Sequence, residues 1–310
     1  MSPSPKICVV GSSNIDLISK VPRLPKLGET MMGHAFHMGY GGKGANQAVM
    51  AAKLGAQVAM VTKSGNDVFG ADTLKNYQAQ GIDTTWVFFD EKAASGVAPI
   101  FVDDNAQNFI VIIPGANMAL SPADVQKASS AITNASLLIC QLEVPVESTL
   151  EAFRIANAAG VTTILNPAPA APLPDELLQL SDIIAPNETE TEQLTGLSVT
   201  TIEDAEKAAR ALLQRGPRTV ILTLGERGAL LVDATSVEHI APIKVKAVDP
   251  TGAGDSFIGS LAVFLGEGLE LRSAIRRANA VAALSVTTIG TQTSFPNRGE
   301  ADEFWERVRD

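Results

Sequence analysis

The 310-residue chain has only two cysteines, two tryptophans, two tyrosines and three histidines. So few cysteines exclude a disulfide-stapled scaffold. Cys8 and Cys140 each sit in an apolar run that reads as a buried strand. They are expected to be small core residues of a reducing compartment, the alternatives being a disulfide or a thiol nucleophile. His34, His37 and His239 show no metal-ligand spacing and read as surface positions. Basic residues are also scarce: 24 Lys and Arg against 34 Asp and Glu give a formal net charge of −10. That excludes the broad basic surface needed to hold nucleic acid or an anionic membrane. It does not exclude an anionic ligand, since a few backbone N–H groups can bind a phosphate on an acidic protein. No apolar run approaches the roughly 20 residues of a membrane helix. The opening Met1–Lys6 leads into a short strand and does not read as a signal peptide. The expected location is the cytoplasm. Internal repeats, low-complexity tracts and an interdomain linker are absent as well.

What is present is alternation. Lys6–Val10, Val58–Val61, Leu137–Gln141, Thr162–Leu165, Ile183–Ala185 and Val220–Leu224 are short and rich in Val, Ile and Leu. Between them, Ala45–Leu54, Gly70–Gln80, Pro145–Ala159 and Ile202–Arg215 carry helical spacing. Short apolar strands alternating with helices predict an α/β fold, a mostly parallel sheet flanked by helices on both faces. The last third, Asp255–Gly266 and Leu271–Val286, reads as helix after helix. Two excursions break the pattern, residues 15–38 and 95–113, both extended and turn-rich. Together they predict a small β-sheet standing off the main sheet as a lid. The whole chain, 1–310, then reads as a single α/β domain with this lid. The outer apolar face of the lid needs a partner, which predicts a homodimer through it.

Two glycine clusters carry the chemistry. In Gly39-Tyr40-Gly41-Gly42-Lys43-Gly44-Ala45-Asn46, a formal G-x-G-x-x-G falls at Gly39, Gly41 and Gly44. The dinucleotide reading is weak, because the preceding residues belong to the lid and the next strand ends at Val61-Thr62-Lys63 without an acid. A P-loop fails because Lys43 precedes glycine and position 37 is His. That leaves a plain glycine-rich helix entry, or backbone approaching a small polyhydroxylated ligand with Lys43 and Asn46 reaching it. The second cluster, Asp249-Pro250-Thr251-Gly252-Ala253-Gly254-Asp255, follows a strand-like run at Ile243–Val248 and opens a long apolar helix. Successive free N–H groups from Gly252 to Asp255 would form an anion hole at a helix N-terminus. Asp255 reads equally well as a helix cap and as a base beside that hole.

At these clusters the chain resembles the ribokinase-like (PfkB) carbohydrate kinase family, from about Ile7 to Pro296. The matching stretches are Gly11-Ser12-Ser13-Asn14-Ile15-Asp16, Gly41-Gly42-Lys43-Gly44-Ala45-Asn46-Gln47-Ala48, Gln141-Leu142-Glu143, Asn166-Pro167-Ala168-Pro169-Ala170, Pro186-Asn187-Glu188-Thr189-Glu190, Thr223-Leu224-Gly225-Glu226-Arg227-Gly228 and Gly252-Ala253-Gly254-Asp255.

The resemblance implies ATP-dependent phosphorylation of a sugar's primary hydroxyl, with Asp255 as base and Gly252, Ala253 and Gly254 as the anion hole. It implies a sugar site from Asn14, Asp16, Gly42, Lys43, Asn46, Glu143 and Asp255. It implies an ATP site from Asn187, Thr223, Gly225, Gly228, Gly254 and Asn279. As bare sequence, Asn187 and Glu190 read as a helix cap pair; the resemblance adds a role toward Mg²⁺, partly through water. It further implies a monovalent cation, usually K⁺, held mainly by carbonyls at Asp249, Thr251, Ser285, Thr288, Gly290 and Ser294. Pro250 stands where the family commonly has Thr; it fixes φ and removes a donor. The expected substrate is ribose ahead of 2-deoxyribose, because Asn14 can bond a 2-hydroxyl, with fructose or a nucleoside behind. A carboxylate at a helix N-terminus is expected to be a weak base. Outside enzymes, the alternative is a sugar-binding regulator.

Overall fold

The computed structural model describes residues 4–105 and 107–309; the opening Met1–Pro3 lies outside them. Nine strands form the main sheet. In chain order they are β1 (Lys6–Val10), β4 (Gln57–Gly65), β5 (Asp83–Asp90), β8 (Leu137–Cys140), β9 (Thr162–Leu165), β10 (Ile183–Ile184), β11 (Thr219–Thr223), β12 (Ala229–Asp233) and β13 (Val237–Ile240). Their spatial order is β13-β12-β11-β10-β9-β8-β1-β4-β5. Every pair is parallel except β11–β12 and β12–β13, which close one edge as antiparallel hairpins.

Four more strands form a second sheet in the order β3-β2-β6-β7: β2 (Asn14–Lys20), β3 (Ala35–Gly41), β6 (Gly96–Val102) and β7 (Asn108–Ile110). β2 pairs antiparallel with β3 and parallel with β6. These are the two excursions read from the sequence, brought together as expected.

The helices are α1 (Lys43–Lys53), α2 (Val68–Ala79), α3 (Pro122–Lys127), α4 (Ser129–Thr133), α5 (Val146–Ala158) and α6 (Asp175–Gln179). They continue as α7 (Glu188–Thr195), α8 (Ile202–Leu213), α9 (Ala253–Gly266), α10 (Leu271–Ser285) and α11 (Arg298–Val308). β1 shows why the sequence lacks alternation there. Ile7 and Val9 face one hydrophobic core with Phe257, Leu261 and Ile275, while Cys8 and Val10 face another with Phe153, Ala156 and Leu165. A strand covered on both faces has no polar side. Both cysteines are buried free thiols, and burial pushes Cys8 up to about 12. Neither is poised as a nucleophile.

One expected strand is absent. Ile243–Val248 is coil, although its residues favour β structure. The sheet already ends at β13, so the run has no neighbour to pair with and instead walls a cleft beside α10. Val248 and Asp249 give their N–H groups to the Val286 carbonyl at 2.7 and 3.1 Å.

Candidate active site

The carboxyl ends of the parallel strands open onto one crevice, the usual ligand position in such sheets. β1 leads into Ser12, Ser13 and Asn14; β8 leads to Gln141 and Glu143; β9 to Asn166; β10 to Asn187; β11 ends at Thr223. α1 and α9 point their N-termini at the same crevice, carrying Lys43 and Asp255.

Asp255 is buried and stands in the first turn of α9, whose cap residue is Gly252 in the left-handed region at φ 78°. Its side chain caps nothing. Asn46 Nδ2 donates to Oδ2 and Gln47 Nε2 donates to Oδ1, both at 2.9 Å. The cap reading is therefore excluded, and the carboxylate is aimed by two amides from α1. Gln47 is oriented in turn by Gln141, whose Nε2 donates to Gln47 Oε1 at 2.5 Å. The base strength also departs from expectation. Burial raises the pKa of Asp255, opposed by Lys43, Asn46 and Gln47 and reinforced by Glu143. The net direction is upward, because burial outweighs the donors around it.

The anion hole is narrower than four successive N–H groups. Ala253 N–H bonds the Pro250 carbonyl at 3.2 Å in the entry turn. Those of Gly252, Gly254 and Asp255 meet no acceptor among the described residues. A cavity of about 180 Å³ opens over them, lined also by Lys43, Asn166, Asn187, Glu190 and Thr223.

Where α1 meets the end of β8, Glu143 Oε2 accepts from Ser12 Oγ at 2.5 Å and from Lys43 N–H at 2.9 Å. Glu143 thus caps α1 from across the sheet, where Gly42 has no side chain to do so. Burial would pull the Lys43 ammonium down, but Asp255, Glu143 and Glu190 outweigh it and hold the pKa above the usual value. Asp16 is pushed up to about 6 by burial, then by Glu143 and Asp255. Asn14 Oδ1 accepts from Asn117 Nδ2 at 2.8 Å; its own Nδ2 meets no acceptor among the described residues. The glycines also allow the chain to approach itself. A Cβ on Gly42 would lie 2.8 Å from Asn14 N, one on Gly44 2.6 Å from Ser12 N, and one on Gly41 2.4 Å from Asp16 Oδ1. The room they leave is filled by protein, so the cluster lets α1 approach the β1–β2 connection. Gly254 is the contrast: a Cβ there meets nothing within 4 Å.

Asn187 and Glu190 form a reciprocal cap on α7, with Asn187 Oδ1 accepting from Glu190 N–H and Glu190 Oε2 from Asn187 N–H, both at 2.8 Å. Burial raises the Glu190 carboxyl, opposed by the Asn187 N–H and Lys43. Beyond them runs a cleft of about 690 Å³, lined by Thr223, Gly225, Gly228, Gly254, Asn279 and the coil at 242–247. That volume suits a nucleotide-sized ligand. Asn279 Nδ2 is buried without a partner among the described residues, so this helical Asn does not simply face solvent.

The loops at 249–251 and 285–294 are brought together by one carboxylate. Asp249 accepts from Thr251 N–H at 3.0 Å and Gly290 N–H at 2.9 Å. Burial would raise its pKa, but those bonds outweigh it and lower it. Ser285 lies at the end of α10 and Thr288 N–H reaches its carbonyl at 3.4 Å; Ser294 Oγ is turned to Thr291 O at 2.8 Å. Sequence reasoning missed Gln47, Gln141, Asn166, Asn117 and Gln292, whose Nε2 donates to Asn46 Oδ1 at 3.0 Å, as parts of the site. Gln47, Gln141 and Asn166 stand inside the matching stretches, but nothing in their spacing marks them as neighbours of Asp255. Gln292 and Asn117 carry no sequence signal.

A family model for "pfkB family carbohydrate kinase" matches residues 4–298. The chain is 47% identical to the ribokinase of Mus musculus, over 94% of this chain and 91% of that one. It is 43% identical to the deoxyribokinase of Salmonella typhi, over 96% and 98%. The structure of Arabidopsis thaliana ribokinase complexed with ribose and ATP superposes with a TM-score of 0.91 at 32% identity, covering 97% of this chain and 99% of that one.

Proposed function

The chain belongs to the pfkB family of carbohydrate kinases, and we propose that its site transfers the γ-phosphoryl group of ATP to the primary 5-hydroxyl of D-ribose, giving ribose 5-phosphate and ADP. The observation that carries this reading is the setting of Asp255. A buried carboxylate with a raised pKa stands beside free N–H groups at a helix N-terminus, between a nucleotide-sized cleft and the acids Asp16 and Glu143.

Asp255 accepts the proton of the attacking hydroxyl. The N–H groups of Gly252, Gly254 and Asp255, with the Lys43 ammonium, stabilise charge on the transferring group. Asn14, Asp16, Gly42, Asn46 and Glu143 form the sugar side; Asn187, Thr223, Gly225, Gly228 and Asn279 form the ATP side. Mg²⁺ fits beside Asn187 and Glu190. Both Glu190 oxygens already accept from Asn187, which suits a hydrated ion carried on the phosphates rather than direct ligation. Bound there, it neutralises phosphate charge. K⁺ would sit at the junction of Asp249, Thr251, Ser285, Thr288, Gly290 and Ser294, where the Asp249 carboxylate ties the two loops together. The whole chain is read as one kinase domain, with the second sheet as a lid that excludes water. A homodimer through that sheet and a cytoplasmic location complete the proposal.

The mouse ribokinase and the Salmonella deoxyribokinase lie close together in identity, so the sugar needs its own test. Asn14 supports ribose: its oxygen is occupied by Asn117, which leaves its N–H to donate to a 2-hydroxyl. A site built to bond that hydroxyl disfavours the deoxy sugar. Turnover on ribose, 2-deoxyribose, fructose and adenosine, followed by ADP release, decides between them. Ribose is expected to be used best; equal or better use of 2-deoxyribose overturns the choice. Asp255→Asn is expected to lower kcat by about 10³-fold or more while ATP still binds in a calorimeter. Near-normal turnover in that variant would sink the assignment of the base, and absence of ADP release from the wild type would favour a sugar-binding regulator.

A further inference from the structure

Four groups run in series from α2 to the base. Asn76 Nδ2 donates to Gln292 Oε1 at 2.9 Å, Gln292 Nε2 donates to Asn46 Oδ1 at 3.0 Å, and Asn46 Nδ2 donates to Asp255 Oδ2 at 2.9 Å. Each orientation forces the next. An ionised carboxylate only accepts, so Asn46 must turn its NH₂ toward Asp255. The Asn46 oxygen then faces Gln292, which must present its own NH₂. That leaves the Gln292 oxygen for Asn76.

Gln292 is 8% exposed, so bulk water cannot take its place. Its main chain is fixed independently. Lys53 Nζ, at the far end of α1, donates to the carbonyls of Gln292 at 2.8 Å and Phe295 at 2.7 Å. The loop is held by Lys53, and the Gln292 side chain is left to orient Asn46. Without it, the Asn46 amide can turn and present its oxygen to Asp255, replacing a donated bond by repulsion.

We propose that Gln292 is a positioning residue for phosphoryl transfer, locking the Asn46 amide so that the Asp255 carboxylate is held in line with the attacking hydroxyl. This rests on Asp255 being the base.

Two variants test it. Gln292→Met keeps the volume and removes both bonds, releasing the Asn46 amide. Gln292→Glu keeps the bond to Asn76 but faces Asn46 with an oxygen, which turns the amide the wrong way. We expect kcat to fall roughly tenfold in the first and roughly a hundredfold in the second, with KM for ATP within about twofold of the wild type. A role confined to packing the loop beside the nucleotide would lower the melting temperature and raise KM for ATP at unchanged kcat, and that pattern overturns the proposal. Should the Glu variant fail to fold, the Met variant decides alone. Asp255→Asn, measured alongside, separates two failures. Near-normal turnover in it removes the base assignment itself. An inactive Asp255→Asn together with normal kcat in the Gln292 variants removes only this inference.

Discussion

Asp255 and Asp16 bring the same charge into one crevice and meet different neighbours. Both are raised first by burial. Asp255 is pulled back by Lys43, Asn46 and Gln47. Asp16 has no donor on its carboxylate among the described residues, and Glu143 and Asp255 push it further, to about 6. A sugar hydroxyl would be its first hydrogen-bond donor. The sign of the pH dependence follows. The unfolded carboxyl titrates near 3.8 and the folded one near 6, so below 3.8 both states are protonated and the folded state carries no penalty. As pH rises through about 6, the folded state must hold an unwelcome charge, costing at most about 2–3 kcal/mol. Asp16→Asn should therefore melt higher than the wild type at pH 8 and no differently near pH 3.5, read by scanning calorimetry. Function moves the other way. The KM for the sugar should rise in the wild type as pH falls through about 6, where Asp16 takes up a proton and ceases to accept. The asparagine variant should lose that dependence along with most of its affinity. An Asn variant that melts no higher at pH 8 would show that Asp16 carries no buried charge.

The two glycine clusters look alike in sequence, yet each opens its helix for a different reason. At the start of α1, added Cβ atoms collide with Ser12, Asn14 and Asp16; in the first turn of α9, a Cβ on Gly254 meets open space. Gly254→Ala should then fold as well as the wild type, or gain up to about 1 kcal/mol from helix propensity. It should still lose at least about tenfold in turnover, because the methyl group would stand over the N–H groups proposed to stabilise the transferring phosphoryl. Gly44→Ala should instead destabilise by about 2 kcal/mol or more, since the backbone of Ser12 and Gly11 cannot retreat. Paired melting curves and kcat values check both; a strongly destabilised Gly254→Ala would sink the distinction. Helices and parallel strands were legible in the sequence because burial on both faces leaves uninterrupted Val, Ile and Leu runs, as in Lys6–Val10. The second sheet was legible because its excursions interrupt that rhythm. Ile243–Val248 misled because β-propensity belongs to the residues, whereas a strand needs a neighbour and the sheet had ended. The site was legible as motifs but not as contacts. Asn46 and Asp255 are read 209 positions apart, and no local pattern says that one bonds the other. The direction of the Asp255 pKa was hidden for the same reason: its helix N-terminus is local, while its burial is global.

At the scale of the whole molecule, the main sheet is covered on both faces and the second sheet is not. Phe36, Met38, Phe109 and Ile110 of its strands are 61%, 47%, 52% and 49% exposed. Single exposed apolar residues are ordinary, but Phe36, Met38 and Phe109 share one face of this sheet, with Ile110 on the other, and an exposed apolar group on one face is what an interface between copies would need. Nothing else in the described chain reaches over to cover them, and no described helix is long and apolar enough to cross a membrane. A second copy would supply an equal apolar face by two-fold symmetry, which would close the proposed assembly at two. Each of these side chains is already about half buried, so full burial would add half of the roughly 1.5–3 kcal/mol of a fully exposed one, on both copies, against the cost of association and the repulsion of a net charge of −10. The same sheet carries Asn14 and Asp16 at the inner end of β2, so dimerisation would brace the strand that presents the proposed sugar ligands. The chain should sediment as a dimer at micromolar concentration, more so in higher salt, where repulsion between acidic copies is screened. Phe36→Glu combined with Met38→Glu should sediment as a monomer. Its KM for ribose should rise several-fold while its KM for ATP, whose proposed cleft lies across the main sheet from the second sheet, stays unchanged. A wild-type chain that sediments as a monomer at micromolar concentration, with this double variant kinetically normal, would remove the dimer and its bracing of β2 together.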